Sequence, residues 1–314
     1  MAPKLIECVP NFSEGSDART IDQIVTAINS VSGAHVLDVH MDADHNRSVV
    51  TFAGPPVAVE QAALRAVGQA SRLIDLTRHQ GVHPRIGATD VLPFVPLTGV
   101  TLAECADLAH RVGREIWAQY RIPVYFYGSA AIRPERQHLE NIRRGGFEGL
   151  RKAVGADPTR KPDVGGPYLH PTSGATAVGA RDILIAFNVN LDSGDADIAR
   201  AIARAVRESS GGLPAVKAMG VGLRSRESDG RRGLVQVSMN LTDWRRTSIK
   251  QAYRAIEREA ARHNVPIHSS ELVGLTPEGA LEGCSPQDLK LVGIGPENIL
   301  ECCLKERWGP DWTS

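Results

Sequence analysis

The chain has 314 residues and a mass of 33.8 kDa, a length that favours two domains. Hydrophobic residues make up 42% of the sequence and charged residues 23%, which is typical of a globular protein with a sizeable core and excludes a disordered chain. The 36 Lys and Arg residues balance the 36 Asp and Glu residues, so a global basic field for binding nucleic acid is excluded as well.

The first half of the chain has the periodicities of alternating strands and helices. In chain order we predict a strand at 4–9, a helix at 17–31, a hairpin of strands at 35–39 and 48–53, a helix at 57–76, a strand at 91–97, a helix at 102–119 and a strand at 122–128. We place strand 91–97 at a sheet edge, because Pro93 and Pro96 cannot donate hydrogen bonds to a central ladder.

The segment 156–179 separates the two halves. It contains four prolines and four glycines in 24 residues, a density that predicts irregular structure, either a linker or a functional loop. After it we predict, in order, a strand at 183–191, a helix at 195–207, strands at 215–223 and 233–241, a helix at 247–263 and a strand at 265–273.

These elements predict an α+β protein. The second half follows the β-α-β-β-α-β order of a ferredoxin-like sandwich, and the first half opens in the same way before an extra β-α-β. A doubly wound Rossmann sheet is the alternative. It lacks support because no GxGxxG follows a strand and consecutive strands have no crossover helices between them. We therefore predict two ferredoxin-like units without a nucleotide cofactor.

The cysteines and the N-terminus predict a reducing compartment. The five cysteines form no CxxC motif, and the first residues lack the apolar core of a signal peptide. No window approaches the roughly 20 apolar residues that a membrane span needs. We expect a cytoplasmic protein with neither a membrane nor a nucleic acid as partner.

The segment RHQGVHPRIGATD, at 78–90, is the strongest candidate for chemistry. His79 and His83 have the spacing of metal ligands on a helix, but Gly81 and Pro84 disfavour a continuous helix here. A loop of this composition suits an imidazole that acts as a general base on a substrate. The alternative for either histidine is a cap on the preceding helix.

Charged residues near these histidines extend the candidate site. Arg85 can clamp an anion, Asp90 can orient the imidazole, and Arg47 at the start of a strand can grip a substrate carboxylate with two hydrogen bonds. The alternative for Arg47 is a solvated charge at the sheet edge. Asp42 and Asp44 with His45 make a weaker metal-site candidate, because hairpin tips are commonly acidic for reasons of turn geometry.

Two further segments are candidates for binding. In PNFSEG, at 10–15, Asn11 lies where a strand end delivers a side chain to a cleft, whereas Ser13 is expected to cap the next helix. The loop GGPYLHPTSG, at 165–174, combines an aromatic residue, a histidine and two hydroxyls among glycines and prolines. That mixture is typical of a lid or a ligand-binding loop rather than a charged linker.

Four segments together resemble the glutamate formimidoyltransferase (formiminotransferase) family. They read ECVPNFSEG, DHNRSV-x-TF-x-GPP, SRLIDLTRHQGVHPRIGATDVLPFVP and KPDVGGP…GATAVGARDILIAFNVNL, in the family's order. The resemblance runs from about Leu5 to about Leu275, and residues beyond 276 match least well.

The resemblance implies two ferredoxin-like subdomains, 1–180 and 181–314, that flank a ligand cleft. It implies transfer of the formimino group from N-formimino-L-glutamate to N5 of tetrahydrofolate, giving L-glutamate and 5-formiminotetrahydrofolate, as in histidine degradation. Tetrahydrofolate is then a co-substrate, no metal is expected, and His83 is the catalytic histidine. The expected substrate-binding residues are Asn11, Arg47, His79, Arg85 and Asp90. The expected folate-contacting residues are Gly165, Gly166, Pro167, Tyr168, Leu169, His170, Pro171, Thr172, Ser173 and Gly174.

The chain departs from the family pattern at three places. His40 stands where many members carry an acid. Ser173 stands where animal enzymes have a tryptophan in the folate loop, so Tyr168 is expected to supply the stacking contact. Animal enzymes also carry a fused cyclodeaminase domain, and for this chain we expect a separate deaminase to act on the product.

Two other functions stay open at the level of the sequence. A metal-dependent amidohydrolase acting on formimino- or formylglutamate would use Asp42, Asp44, His45, His79 and His83. A non-catalytic sensor of small ligands is the second, although it does not need so many histidines and arginines in loops. The oligomeric state is also open, a homodimer included.

Overall fold

The computed structural model describes residues 3–223, 233–310 and 312. The chain divides into two compact units. The first comprises Met1–Arg181 and the last four residues of the chain, and the second spans Asp182–Pro310. Within the described residues, no helix combines the length and the apolar character that a membrane crossing requires.

The first unit alternates strands and helices much as the periodicity predicts. Its elements are β1 (Leu5–Cys8), β2 (Asn11–Phe12), α1 (Ala18–Asn29), β3 (His35–Asp42), β4 (Arg47–Gly54), α2 (Pro56–Leu73), β5 (Thr89–Thr98), α3 (Leu102–Tyr120), β6 (Val124–Gly128), α4 (Leu139–Arg143), α5 (Gly146–Ala153) and β7 (Thr176–Ala180). Pro56 occupies the first turn of α2, where the missing N–H of a proline costs no helical hydrogen bond.

The described strands of this unit form one sheet. Its order is β1-β4-β2-β5-β7-β6, with β3 beside β4, and both β1 and β2 also pair with β5. The β5–β7 and β6–β7 pairs are parallel, and the other pairs are antiparallel. The predicted hairpin is therefore the β3–β4 pair, and its turn lies beside Arg47, the first residue of β4.

Alternating side chains give this sheet two different faces. Val124 and Phe126 of β6 belong to the core shared with α1, α2 and α3. Tyr125 and Tyr127 point to the other face, where they join a second cluster that includes residues of α4 and α5. Because successive side chains of a strand point to opposite faces, both faces of β6 are buried. The helix α4 therefore lies on the side of the sheet opposite the long helices.

The prediction that strand 91–97 lies at an edge was wrong, because β5 is central to the sheet. Pro93 is tolerated because its carbonyl accepts from the N–H of Val9, in the gap between β1 and β2, where no ladder donor is required of it. Pro96 lies beyond the last β5–β7 pair and next to an irregularity in the β1–β5 register. The pairing of β5 with β1 and β2 is irregular beside each proline, although β5 itself is continuous and Pro93 stays in register with Gly179 of β7.

The prediction of irregular structure across 156–179 was also wrong for the last residues of that segment. Residues Thr176–Ala180 form β7, which lies between β5 and β6 and is fully buried. Its residues are small, and Gly179 packs so closely that a Cβ would lie 2.5 Å from the Tyr127 ring. A strand of small residues between large neighbours has little periodicity to reveal it.

The second unit has the predicted β-α-β-β-α-β order. Its elements are β8 (Ile185–Leu191), α6 (Ala196–Val206), β9 (Val216–Leu223), β10 (Leu234–Leu241), α7 (Ile249–Arg262), β11 (Ile267–Val273) and a further helix, α8 (Leu300–Trp308). The described strands form an antiparallel sheet in the order β11-β8-β10-β9. Phe187, Val189 and Leu191 share a core with α6 and α7.

Candidate active site

Asn46 joins three segments of the first unit that the sequence marks separately. Its side-chain oxygen accepts from the N–H of Gly15 at 2.9 Å, and its amide donates to the carbonyl of Gln80 at 2.8 Å. Its own carbonyl accepts from Nε2 of His79 at 2.8 Å. The residue holds a left-handed conformation, φ 46°, which asparagine tolerates better than most side chains. The PNFSEG motif, the β3–β4 turn and the histidine loop are thereby fixed against one another.

Two glycines allow these segments to approach closely. A Cβ on Gly15 would lie 2.1 Å from the carbonyl oxygen of Asp42, and one on Gly81 would lie 2.4 Å from that of His45. Any larger residue at either position would push the PNFSEG motif or the histidine loop away from the β3–β4 turn.

His83 is held in one tautomer by its two neighbours. Its Nε2 lies 2.6 Å from Nη1 of Arg47, and its Nδ1 lies 2.8 Å from the carbonyl oxygen of Pro84. A guanidinium can only donate, so Nε2 is the acceptor and Nδ1 carries the proton that it donates to Pro84. The basic nitrogen of His83 therefore faces Arg47, and the orienting partner expected in Asp90 is instead this backbone carbonyl.

The surroundings of His83 favour its neutral form. Burial is the largest cause that holds the pKa of His83 well below its usual value, and the positive charges of Arg47 and Arg143 act in the same direction. The hydrogen bond to Pro84 opposes them, and His45, whose ring centroid lies 5.8 Å away, adds a smaller lowering effect. A general base must be in this neutral form, and the lone pair of Nε2 is held by Arg47 in the structure without substrate.

Arg47 is a largely buried cation in this arrangement. Burial, assisted by the charge of Arg143, lowers the pKa of Arg47 to about 10, whereas Asp90 and Asp42 act in the opposite direction. Its Nε is buried and has no hydrogen-bond partner among the described residues. Arg47 is therefore not the solvated edge charge that was its alternative interpretation.

Arg143 is a residue of this site that the sequence did not reveal. It is the last residue of α4, and its Nη2 forms an ion pair with Oδ2 of Asp90. Asp90 is 2% exposed, and its other oxygen accepts from the N–H of Ile86 at 2.7 Å. Asp90 thus holds Arg143 and the end of the histidine loop, rather than the imidazole of His83. The short helix α4 was not predicted, so no signal pointed to Arg143.

His79 and Arg85 form a second pair beside His83. Nε of Arg85 donates to Nδ1 of His79 at 2.7 Å, and the two Nη atoms of Arg85 contact Glu148 at 3.2 and 2.8 Å. Since Nδ1 of His79 is an acceptor, its Nε2 carries the proton donated to Asn46. Burial lowers the pKa of His79, and Arg85 adds to the effect. Both residues are engaged by protein groups in this structure.

The PNFSEG motif lies between the strands that carry the site. Asn11 is buried in β2, opposite Val49 of β4, and its amide donates to the carbonyl of Val9 at 3.0 Å. Ser13 does not cap the following helix, because its Oγ donates to the carbonyl of Gly87 at 2.7 Å. The cap of α1 is Asp17, which accepts from the N–H of Arg19.

The loop 165–174 is attached to the histidine loop at its C-terminal end. The carbonyl of Ser173 accepts from the N–H of Ala88 at 2.9 Å, and a Cβ on Gly174 would lie 2.1 Å from the carbonyl oxygen of Ile86. Ser173 is buried, so it presents no surface for stacking. Tyr168, by contrast, is 68% exposed and offers a free aromatic face.

The carboxylate of Asp42 at the hairpin tip stabilises the turn between β3 and β4. Oδ1 of Asp42 accepts from the N–H of His45 at 2.8 Å, and Oδ2 lies 3.9 Å from Nε2 of the same histidine. Within the described residues, no three His, Cys, Asp or Glu side chains are grouped closely enough to hold a metal ion. The set Asp42, Asp44, His45, His79 and His83 is therefore not assembled as ligands.

Comparisons with known proteins cover both units. The sequence profile of the formiminotransferase domain, N-terminal subdomain, matches residues 5–181, and that of the formiminotransferase domain matches residues 186–285. The chain is 44% identical over 278 residues to a glutamate formimidoyltransferase of Streptococcus pyogenes, covering 88% of this chain and 91% of that protein. It is equally similar, 44% over 279 residues, to a glutamate formimidoyltransferase of Thermoplasma acidophilum, of which 89% is covered.

An animal relative shows a different extent of similarity. The formimidoyltransferase-cyclodeaminase of Rattus norvegicus is 42% identical over 282 residues, which span 88% of this chain but 51% of the rat protein.

Proposed function

This chain belongs to the formiminotransferase family, and we propose that it is a glutamate formimidoyltransferase in which His83 is the general acid and base. It moves the formimino group of N-formimino-L-glutamate to N5 of tetrahydrofolate and leaves L-glutamate and 5-formiminotetrahydrofolate. The observation that carries the assignment of roles is the half-buried imidazole of His83, fixed in one tautomer beside the cation of Arg47.

The chemistry needs one group that takes and returns a proton. N5 of tetrahydrofolate attacks the formimino carbon and forms a tetrahedral intermediate, and N5 loses its proton. The bond to the glutamate nitrogen then breaks, and that nitrogen gains a proton as it leaves. Nε2 of His83, once Arg47 turns from it to the carboxylate of the donor, accepts the first proton and donates the second. This role is typically worth about 100- to 10,000-fold in rate.

Arg47 binds a carboxylate of the donor in this proposal. Both substrates are anionic, and a guanidinium can hold a carboxylate with two charge-assisted hydrogen bonds. The Nε of Arg47, which is buried and has no partner among the described residues, is the proposed donor for such a bond. Fixing the donor in this way also lowers the entropic part of the barrier, because the formimino carbon is held near His83.

The other predicted substrate-binding residues act at a distance from the reacting atoms. We propose that His79 and Arg85 hold the histidine loop. Nε2 of His79 donates to the carbonyl of Asn46, and the guanidinium of Arg85 bonds both to Nδ1 of His79 and to Glu148. Asp90 positions Arg143 through its ion pair. Asn11, which is buried in β2, supports the strand that carries Arg47.

The loop 165–174 is the proposed folate site. Tyr168, exposed at the free part of this loop, can stack on the pterin ring. Leu169 is buried and anchors the loop, while Ser173 and Gly174 tie it to the residues that follow His83. This arrangement supports Tyr168 rather than Ser173 as the stacking residue.

At the level of the fold, we propose that the subdomains 1–180 and 181–314 are variants of the ferredoxin-like sandwich. The second unit supports this with its β-α-β-β-α-β order and antiparallel sheet, and the first adds strands and helices to that order.

The cysteines support the proposed compartment. All five are free thiols, which fits a cytoplasmic enzyme. A separate cyclodeaminase would then act on the product.

The test is glutamate release from N-formimino-L-glutamate with and without tetrahydrofolate. We expect release only when tetrahydrofolate is present, together with an equal amount of 5-formiminotetrahydrofolate. Release without folate would contradict the transferase and support the amidohydrolase. Binding of both substrates without any turnover would support the sensor.

A further inference from the structure

Two buried guanidinium groups meet beside His83 with donors that have no partner. Arg47 begins β4 and Arg143 ends α4, so the two residues come from distant parts of the first unit. In the described part of the chain, Nε of each arginine is buried and makes no hydrogen bond. The two side chains are close enough for the charge of Arg143 to lower the pKa of Arg47. Buried donors are nearly always paired in proteins, so two unpaired donors on neighbouring cations point to a binding position for an acceptor.

The charges around these donors favour an anion as that acceptor. Arg143 has Asp90 as its carboxylate partner, and Asp90 divides its two oxygens between Arg143 and the N–H of Ile86. Among the described ion pairs, none joins Arg47 to a carboxylate, and its Nη1 contacts the neutral nitrogen of His83. Asp42 also acts electrostatically on Arg47, but none of the described ion pairs joins the two. With Asp90 as the one carboxylate in an ion pair with either arginine, the two cations keep positive charge that a bound anion can neutralise.

We infer that Arg143 and Arg47 together bind one carboxylate of the formimino donor, which makes Arg143 a specificity-determining residue of the enzyme. The inference rests on the proposed function, since that function supplies a dicarboxylate substrate. Asp90 holds Arg143 in place, and the carboxylate bridges the two Nε donors. An uncharged side chain in the donor would leave both donors unpaired and would bind poorly.

The clamp also connects donor binding to the basicity of His83. The groups that face His83 are Arg47, Arg143, His45 and the carbonyl of Pro84, and both arginines disfavour its protonated form. A carboxylate placed between the arginines offsets their charge, so the pKa of His83 rises when the donor is bound. The base becomes a better proton acceptor at the moment when it is needed.

The test compares Arg143→Lys with Arg144→Lys, the same change at the next residue, which is exposed. Lysine keeps a cation for Asp90 but loses the guanidinium fork. We expect the KM for N-formimino-L-glutamate to rise roughly 10-fold or more in Arg143→Lys, with the KM for tetrahydrofolate within about 2-fold of the wild type. Arg144→Lys should change neither constant.

A measurement on the wild-type protein makes the test independent of the folding of the variant. The ring signals of His83, assigned by their loss in His83→Gln, are titrated with pH in the absence and presence of L-glutamate. We expect a higher pKa of His83 with L-glutamate, and a smaller change with L-glutamine or L-isoglutamine, each of which lacks one carboxylate.

The outcomes separate the inference from the proposed function. A wild-type protein that does not transfer the formimino group contradicts the function. A wild-type protein that transfers it, while Arg143→Lys keeps the wild-type KM for the donor, contradicts the clamp alone. Equal binding of L-glutamate and both amides would contradict it as well.

Discussion

Replacing His83 by alanine tests the central chemical role. The imidazole is proposed to move a proton in each half of the transfer, so kcat should fall by about 100- to 10,000-fold, which corresponds to about 2.7 to 5.4 kcal/mol of barrier. The variant should still fold. It loses the hydrogen bonds to Arg47 and Pro84, a cost of about 1 to 3 kcal/mol against a typical stability of about 5 to 15 kcal/mol. Tetrahydrofolate binding should be unchanged, because Tyr168 and its loop do not use His83.

The assay is single-turnover formation of 5-formiminotetrahydrofolate, with folate affinity measured separately by calorimetry. His110→Ala is the matched control, since that half-buried ring also bonds a backbone carbonyl, Ala130 at 2.8 Å, but lies on α3. His79→Ala should lower kcat less than His83→Ala, because both nitrogens of His79 are engaged by Arg85 and Asn46. A His83→Ala protein that turns over within about 3-fold of the wild type would refute the reasoning, since acid–base catalysis is worth far more.

Three further changes probe the surroundings of the base. Arg47→Ala should raise the KM for N-formimino-L-glutamate by about 10- to 150-fold, more than it lowers kcat. It should also move the acid limb of the kcat/KM profile to higher pH, because removing this cation raises the pKa of His83; an unchanged KM and limb would contradict both expectations. Tyr168→Ala should weaken tetrahydrofolate by about 2- to 10-fold and spare the donor in steady-state kinetics. In the wild type, hydrogen exchange across 165–174 should slow with folate, whereas equal exchange would indicate a plain linker. Asn46→Ala should lower both the melting temperature and kcat. Asn46→Gly loses the same side-chain hydrogen bonds but adopts the left-handed conformation without strain, so the difference in melting temperature between the two variants measures the backbone strain.

Local periodicity predicted most helices and strands of the fold. It failed for two strands of the first sheet, the proline-containing β5 and the small-residue strand β7. The amphipathic helix α1 and the βαββαβ order of the second unit follow from apolar spacing alone. Strand β5 was placed at an edge because of its prolines, and only the sheet topology shows that Pro93 faces a gap between two strands. Strand β7 consists of small residues, which carry little hydrophobic signal.

The candidate site was predictable where its residues share a segment, and not where they meet across the fold. His83 and Arg85 lie in one loop, and Arg47 begins a strand that alternation identifies. The ion pair between Asp90 and Arg143 joins residues 53 positions apart, through a helix of five residues that has no detectable periodicity. Without that pairing, the neighbouring imidazole was the natural partner to expect for Asp90, and the structure gives that role to the carbonyl of Pro84.

The cations that keep His83 neutral also suit the second half of the transfer. Once His83 has taken the N5 proton, its imidazolium lies beside Arg47 and Arg143, which both disfavour it. Each unit by which they lower the pKa corresponds to about 1.4 kcal/mol that favours returning the proton. The glutamate nitrogen must receive that proton, because without it the nitrogen would have to leave as a strongly basic amide anion. The arginines therefore oppose the first proton transfer and assist the second. A donor carboxylate bound between them reduces the opposition, so that one imidazole can serve both steps.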